Sequence, residues 1–217
     1  ETDPEDPSTA AANTIPLDPG VVRTIDRSGG TFLHTSRTNP ARVRPKQEPA
    51  FLAGGRLDDG PRDHTSHALR VLDHLALDAL IPIGGDDTLS FALRLSDEGV
   101  PVVAIPKTMD NDVHGTDYCI GFSTAITRAK EAINRQRTTL GSHERIGVFR
   151  IFGRDAGFSA LYTAYVTSAR CVIPESPYDL DALSALLAAD HAATPSHYAF
   201  VITAEGALDF IVGNAPQ

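Results

Sequence analysis

The stretch Ala79-Leu80-Ile81-Pro82-Ile83-Gly84-Gly85-Asp86-Asp87-Thr88 runs from an apolar segment, through paired glycines, into acidic residues. A short apolar run ended by glycine reads as a buried strand, Ala79 to Ile83. The residues that follow, from about Thr88 to Glu98, read as a helix stopped by Gly99. The same alternation extends outward in both directions. Upstream, Leu69, Leu72, Leu75 and Ala76 share one face of a helix beginning near Ala68. Downstream, Pro101 to Ile105 is a strand, and Ser123 is a candidate N-cap for a helix to about Arg137 with Ile126, Ala129 and Ile133 turned inward. Further on come a strand Ile146 to Ile151, a helix Ala156 to Ser168 and a strand Cys171 to Ile173. Asp179 then caps a helix reaching Ala189, and Tyr198 to Ile202 is a buried strand. Strands alternating with helices predict an α/β fold, parallel sheets with helices on both faces, and no internal repeat is visible. In such sheets ligands bind beyond the carboxyl ends of the strands, where the polar, glycine-rich loops of this chain fall.

The composition agrees with a globular protein: 217 residues, 41% hydrophobic and 22% charged. A net charge of −9 and a pI of about 5.3 argue against a nucleic-acid partner, so anionic substrates would be held by a few local cations. No apolar run approaches the ~20 residues a bilayer span needs. The acidic, proline-rich start, Glu1 to Pro7, is unlike a secretory leader, and residues 1–16 read as a mobile arm. Cys119 and Cys171 match no metal spacing and read as two reduced thiols in or near the core of a cytoplasmic protein.

Three groups of loops carry chemistry. In Ile83-Gly84-Gly85-Asp86-Asp87-Thr88, the glycines let a phosphate approach the backbone, and free N–H groups at the helix start favour an anion. Asp86 is then a candidate magnesium ligand, because magnesium takes one or two carboxylates and fills its remaining positions with phosphate oxygens and water. The plain alternative is a glycine turn with an aspartate cap. In Pro106-Lys107-Thr108-Met109-Asp110-Asn111-Asp112, two carboxylates beside a lysine suit phosphoryl transfer. One accepts the proton of an attacking hydroxyl while the other orients it or helps hold metal. The third group is basic: Gly29 to Arg37, Ser142-His143-Glu144-Arg145 and Phe152-Gly153-Arg154 each deliver an arginine fitted to bidentate phosphate contacts.

Together with Ala204-Glu205-Gly206, these segments resemble the phosphofructokinase family in order and spacing, from roughly Leu17 to Ala207. The resemblance implies two lobes: 17–121 for the phosphoryl donor and 122–217 for the sugar phosphate. It implies that Asp110 is the base for the sugar 1-hydroxyl, supported by Thr108 and Asp112, with Arg37 along the transferred phosphate. Gly85, Asp87, Thr88 and Lys107 would meet the donor, and Asp86 the Mg2+. Phe152, Gly153, Arg154 and Glu205 would hold fructose 6-phosphate. Arg145 would reach the sugar phosphate of a neighbouring subunit, which makes a homo-oligomer, dimer or tetramer, the expected assembly.

Asp87 and Lys107 bear on the donor, since ATP-using relatives usually carry glycine at both positions. The pattern here resembles the pyrophosphate-using branch. The Asp87 carboxylate would repel a nucleotide's α-phosphate, and Lys107 would place a cation where pyrophosphate ends. Within this family His34 stands where glycine is common, and Phe152 where methionine is. The family's opening strand and glycine loop have no counterpart upstream of residue 17. Its later histidine–arginine segment has none after Ala207, and Leu208 to Gln217 match nothing familiar. Both lobes are therefore expected to be incomplete, and this stretch alone inactive. Competing readings are an ATP-dependent phosphofructokinase and a non-catalytic sugar-phosphate-binding relative. Lipid and NAD kinases share the glycine–aspartate loop but lack the Pro106–Asp112 and Phe152–Arg154 segments.

Overall fold

The computed structural model describes residues 2–27, 29–54 and 60–207. The tail from Leu208 to Gln217 lies outside the described residues. The chain packs as two compact units, one running to Pro82 and including Asp87–Ile105, the other made of Ile83–Asp86 and everything from Pro106 onward. The acid loop after Pro106 packs with the second unit.

In the first unit, α1 (Pro7–Asn13) falls inside the stretch expected to be a mobile arm. Asp6 caps it by accepting from the Ser8 N–H at 3.0 Å. A four-residue helix, α2 (Pro19–Val22), is capped by Asp18 in the same way. Helix α3 (Thr65–His74) starts three residues before the expected Ala68. Asp63 accepts from the Thr65 N–H at 2.8 Å and from its hydroxyl, and those bonds hold the Asp63 carboxyl below the usual aspartate range. Glu48, whose side chain is 1% exposed, pairs with His64 at 2.8 Å and with Arg62 at 3.7 Å, so its buried charge is matched. Helix α4 (Asp86–Asp97) stops as expected: Gly99 takes φ +94°, and the Val100 N–H reaches the Leu95 carbonyl at 3.0 Å.

Strands β1 (Ile83–Gly84), β2 (Ile105–Thr108) and β3 (Ile120–Gly121) form one sheet in that order, β2 and β3 parallel with Lys107 opposite Ile120. The strand expected over Pro101–Ile105 is reduced to a single bridge, Leu80 to Val102, before the ladder resumes at Ile105. Pro82 explains the gap: its carbonyl accepts from the Ile105 N–H at 2.9 Å, but it has no N–H to return a bond.

Helix α5 (Phe122–Ser142) follows β3 without a loop. Ser123 is therefore not its N-cap: Gly121, at φ +104°, makes the turn, and Phe122 is buried to 1% exposure. The helix also runs five residues past the expected Arg137. Leu140 packs on the core, and the Arg137 guanidinium lies 4.8 Å from the centre of the Phe200 ring.

The second sheet holds β4 (Ile146–Ile151), β6 (Ala199–Ala204) and β5 (Arg170–Val172), with β6 in the middle and both pairings parallel. Every residue of β6 is buried, so the sheet is covered on both faces at its central strand, while Ile146 and Val148 of β4 are exposed. Helix α6 (Phe158–Thr167) and α7 (Leu180–Ala193, capped by Asp179) pack against it. The core joins Ile133, Ala160, Ala164 and Leu187 to Val201 and Ile202. Cys119 is buried and Cys171 half-buried, and both are free thiols. Burial pushes the Cys171 thiol up to about 11. No helix among the described residues is long and apolar enough to cross a membrane.

Candidate active site

The carboxyl ends of β2, β4 and β6 deliver Thr108, Ile151 and Ala204, and the candidate residues follow directly after them. After β2 come Asp110 and Asp112, after β4 Phe152-Gly153-Arg154, and after β6 Glu205-Gly206. Two glycines let the loop after β4 fit against the helical turn that opens at Glu205 after β6. Gly153 takes φ +126°, and the Gly206 N–H bonds to the Gly153 carbonyl at 3.0 Å. A Cβ on Gly206 would sit 1.7 Å from the Arg154 carbonyl oxygen, and one on Gly153 would sit 2.3 Å from that of Ala156. Both obstacles are backbone, which cannot swing aside. Gly206→Ala is accordingly expected to destabilise the protein by about 3 kcal/mol, readable as a lowered melting temperature.

Asp110 is the electrostatic centre. Its Oδ1 atom is buried with no hydrogen-bond partner among the described residues. Burial first, then the negative charges of Asp112, Glu205 and Asp155, raise its carboxyl above the usual aspartate range, with Arg154 acting in opposition. Asp110, Asp112, Arg154 and Glu205 are thus brought within electrostatic reach of one another. The Asp110 N–H bonds to the Thr108 hydroxyl at 3.2 Å. Gly85 lies against that threonine, its Cβ position 3.5 Å from the Thr108 Cβ, so the glycine turn and the acid loop are neighbours.

Arg145 is not at this site. It precedes β4 while Arg154 follows it, and six extended residues separate the two ends by about 20 Å. Lys107 and Phe152 are exposed. Arg37, Asp87 and Thr88 belong to the first unit and are all exposed. His34 takes φ +63°, in the left-handed region that favours glycine.

Asp86 opens α4, exposed, with no hydrogen bond or ion pair among the described residues. No cluster of three or more His, Cys, Asp or Glu is arranged to cage a metal among them. One free carboxylate fits magnesium that shares its coordination with phosphate oxygens and water, and does not fit an all-protein cage. Residues missed in the sequence are Arg150, 3.5 Å from Glu205; Asn111; and Ser159, whose hydroxyl donates to the Met109 carbonyl. Only Arg150 carried a signal, an arginine at an alternate position of a strand entering the Phe152–Arg154 loop.

The phosphofructokinase family model matches residues 9–214. A pyrophosphate–fructose 6-phosphate 1-phosphotransferase of Streptomyces coelicolor is 42% identical over 201 residues, 90% of this chain and 52% of the relative. An ATP-dependent 6-phosphofructokinase 3 of the same organism is 40% identical over 194 residues, 89% of this chain and 51% of the relative. The chain thus spans about half the length of the curated relatives it matches. Among solved structures, phosphofructokinase from Saccharomyces cerevisiae superposes with a TM-score of 0.54 at 28% identity, covering 63% of this chain and 21% of that one. A pyrophosphate-dependent phosphofructokinase from Nitrosospira multiformis gives 0.56 at 24% identity, covering 66% and 40%. With an α/β fold of parallel sheets, an acid loop and an arginine–glutamate pair at the strand ends, and a family match along nearly its whole length, the chain belongs to the phosphofructokinase family.

Proposed function

We propose that the chain is the catalytic part of a phosphotransferase that moves a phosphoryl group from pyrophosphate to the 1-hydroxyl of fructose 6-phosphate. The observation that carries this reading is Asp110 Oδ1, a buried carboxylate oxygen without a donor among the described residues, within electrostatic reach of Arg154 and Glu205 at the strand ends. A carboxylate with a raised pKa and no donor is ready to accept a proton. In this reading Asp110 takes the proton of the 1-hydroxyl as that oxygen attacks the transferred phosphorus, and the donor leaves as phosphate. Thr108 and Asp112 support the reacting centre, and Arg37 would lie along the phosphoryl group. Glu205 accepts from sugar hydroxyls while Arg154 meets the sugar phosphate, between the Phe152–Gly153 turn and the base. Asp86 would hold Mg2+, which when bound neutralises charge on the phosphates.

The names of the relatives divide between ATP and pyrophosphate at similar identity, so the donor is read from two residues. Asp87 disfavours a nucleotide and Lys107 favours a terminal phosphate, with Gly85 and Thr88 lining the same donor. Arg145, at the far end of β4, is free to serve a neighbouring subunit, which supports a homo-oligomer with shared sites. Arg154→Ala should raise KM for fructose 6-phosphate about 10- to 100-fold, the size of a lost charge-assisted hydrogen bond. Steady-state kinetics on the full-length protein checks this, and an unchanged KM removes Arg154 from the sugar site.

A further inference from the structure

The loop from Met109 to Cys119 leaves β2 and returns to its parallel neighbour β3, with no helix between to brace it. Two side chains brace it instead. Asn111 sits in the left-handed region at φ +57°, a conformation asparagine tolerates better than most residues. Its side-chain amide spans the loop: Oδ1 accepts from the Cys119 N–H at 2.8 Å, and Nδ2 donates to the Asp117 carbonyl at 3.1 Å. Cys119 is itself buried at 4% exposure, so the anchor is firm. From the other side Ser159, on α6 and 2% exposed, donates its hydroxyl to the Met109 carbonyl. Asp110 lies between these two fastenings, with Oδ1 buried and unpartnered.

An unpartnered buried carboxylate oxygen is costly, and a free loop would turn it toward water. Among the described residues nothing bonded to the carboxylate holds Oδ1 in place, so its neighbours along the chain must. We propose that Asn111 and Ser159 are positioning residues that clamp the backbone on either side of Asp110 and keep its carboxylate aimed inward. This rests on the proton-acceptor role of Asp110 given above.

The test uses two variants of the full-length protein and two kinds of readout. Asn111→Gly keeps the left-handed backbone accessible while removing both side-chain bonds, and Ser159→Ala removes the second fastening. Each should lower kcat about 10- to 100-fold, the loss expected when a reacting group is misplaced by about 1 Å, with KM for fructose 6-phosphate changed less than threefold. In an Asp110→Asn background Asn111→Gly should have no further effect, because it acts through the carboxylate already removed. Hydrogen exchange supplies the readout that does not depend on activity: the Cys119 amide should lose protection in Asn111→Gly. Wild-type kcat in both variants overturns the proposal, as does an additive loss in the double mutant or a Cys119 amide that stays protected. If the unmodified protein transfers no phosphoryl group, the catalytic reading fails, and the clamp is decided by the Cys119 amide alone.

Discussion

Asp110→Asn is expected to lower turnover by about 10²–10⁴-fold, the usual worth of a general base, and at the same time to raise the melting temperature at neutral pH. The two effects have one cause. Burial, then Asp112 and Glu205, make the folded protein hold a proton on Asp110 more tightly than the unfolded chain does. Between the unfolded and the folded pKa the native state therefore binds more protons, and stability falls as pH rises through that window. Above it the carboxylate is a net cost to the fold, which asparagine removes while keeping the shape. Below the unfolded pKa both forms are neutral, and the difference between variant and parent should vanish. The same shift places the acid limb of kcat/KM above the ordinary aspartate range. Fructose 6-phosphate binding should be largely retained. Thermal melts at several pH values, alongside initial rates, check each part. Full turnover would remove Asp110 from the mechanism, and a lower melting temperature at neutral pH would contradict its electrostatic setting.

Asp87→Gly with Lys107→Gly is expected to move donor preference from pyrophosphate toward ATP. Removing Lys107 takes away a charge-assisted phosphate contact worth about 1.5–3 kcal/mol, so kcat/KM for pyrophosphate should fall about 10- to 100-fold. Removing Asp87 takes away the carboxylate that would repel a nucleotide's α-phosphate. Because both residues would meet a single donor, the double substitution should differ from the sum of the singles. Steady-state rates with each donor decide the matter: a double variant that keeps the parental preference would show that other residues select it.

Much of this was legible in the residues. The span Ile146–Ile151, the cap at Asp179 and the stop at Gly99 each appear where local chemistry placed them, because each depends on neighbours close in sequence. The turns at Asp110–Asp112 and Phe152–Arg154 were likewise found as loops after strands. What the sequence hid depends on tertiary contact. Ser123 had the chemistry of a cap, but β3 running directly into Phe122 moved the helix start upstream. Pro82 interrupted a ladder that hydrophobic pattern alone would have made continuous. Asn111 and Ser159 are ordinary polar residues until the fold brings them to the Cys119 amide and the Met109 carbonyl.

The most direct test is phosphoryl transfer by the full-length protein to fructose 6-phosphate in the presence of Mg2+, with pyrophosphate and ATP compared as donors at equal concentration. The account predicts fructose 1,6-bisphosphate and inorganic phosphate from pyrophosphate, with little turnover from ATP. Equal or faster turnover with ATP would contradict the donor assignment, and no product from either donor would contradict the function itself.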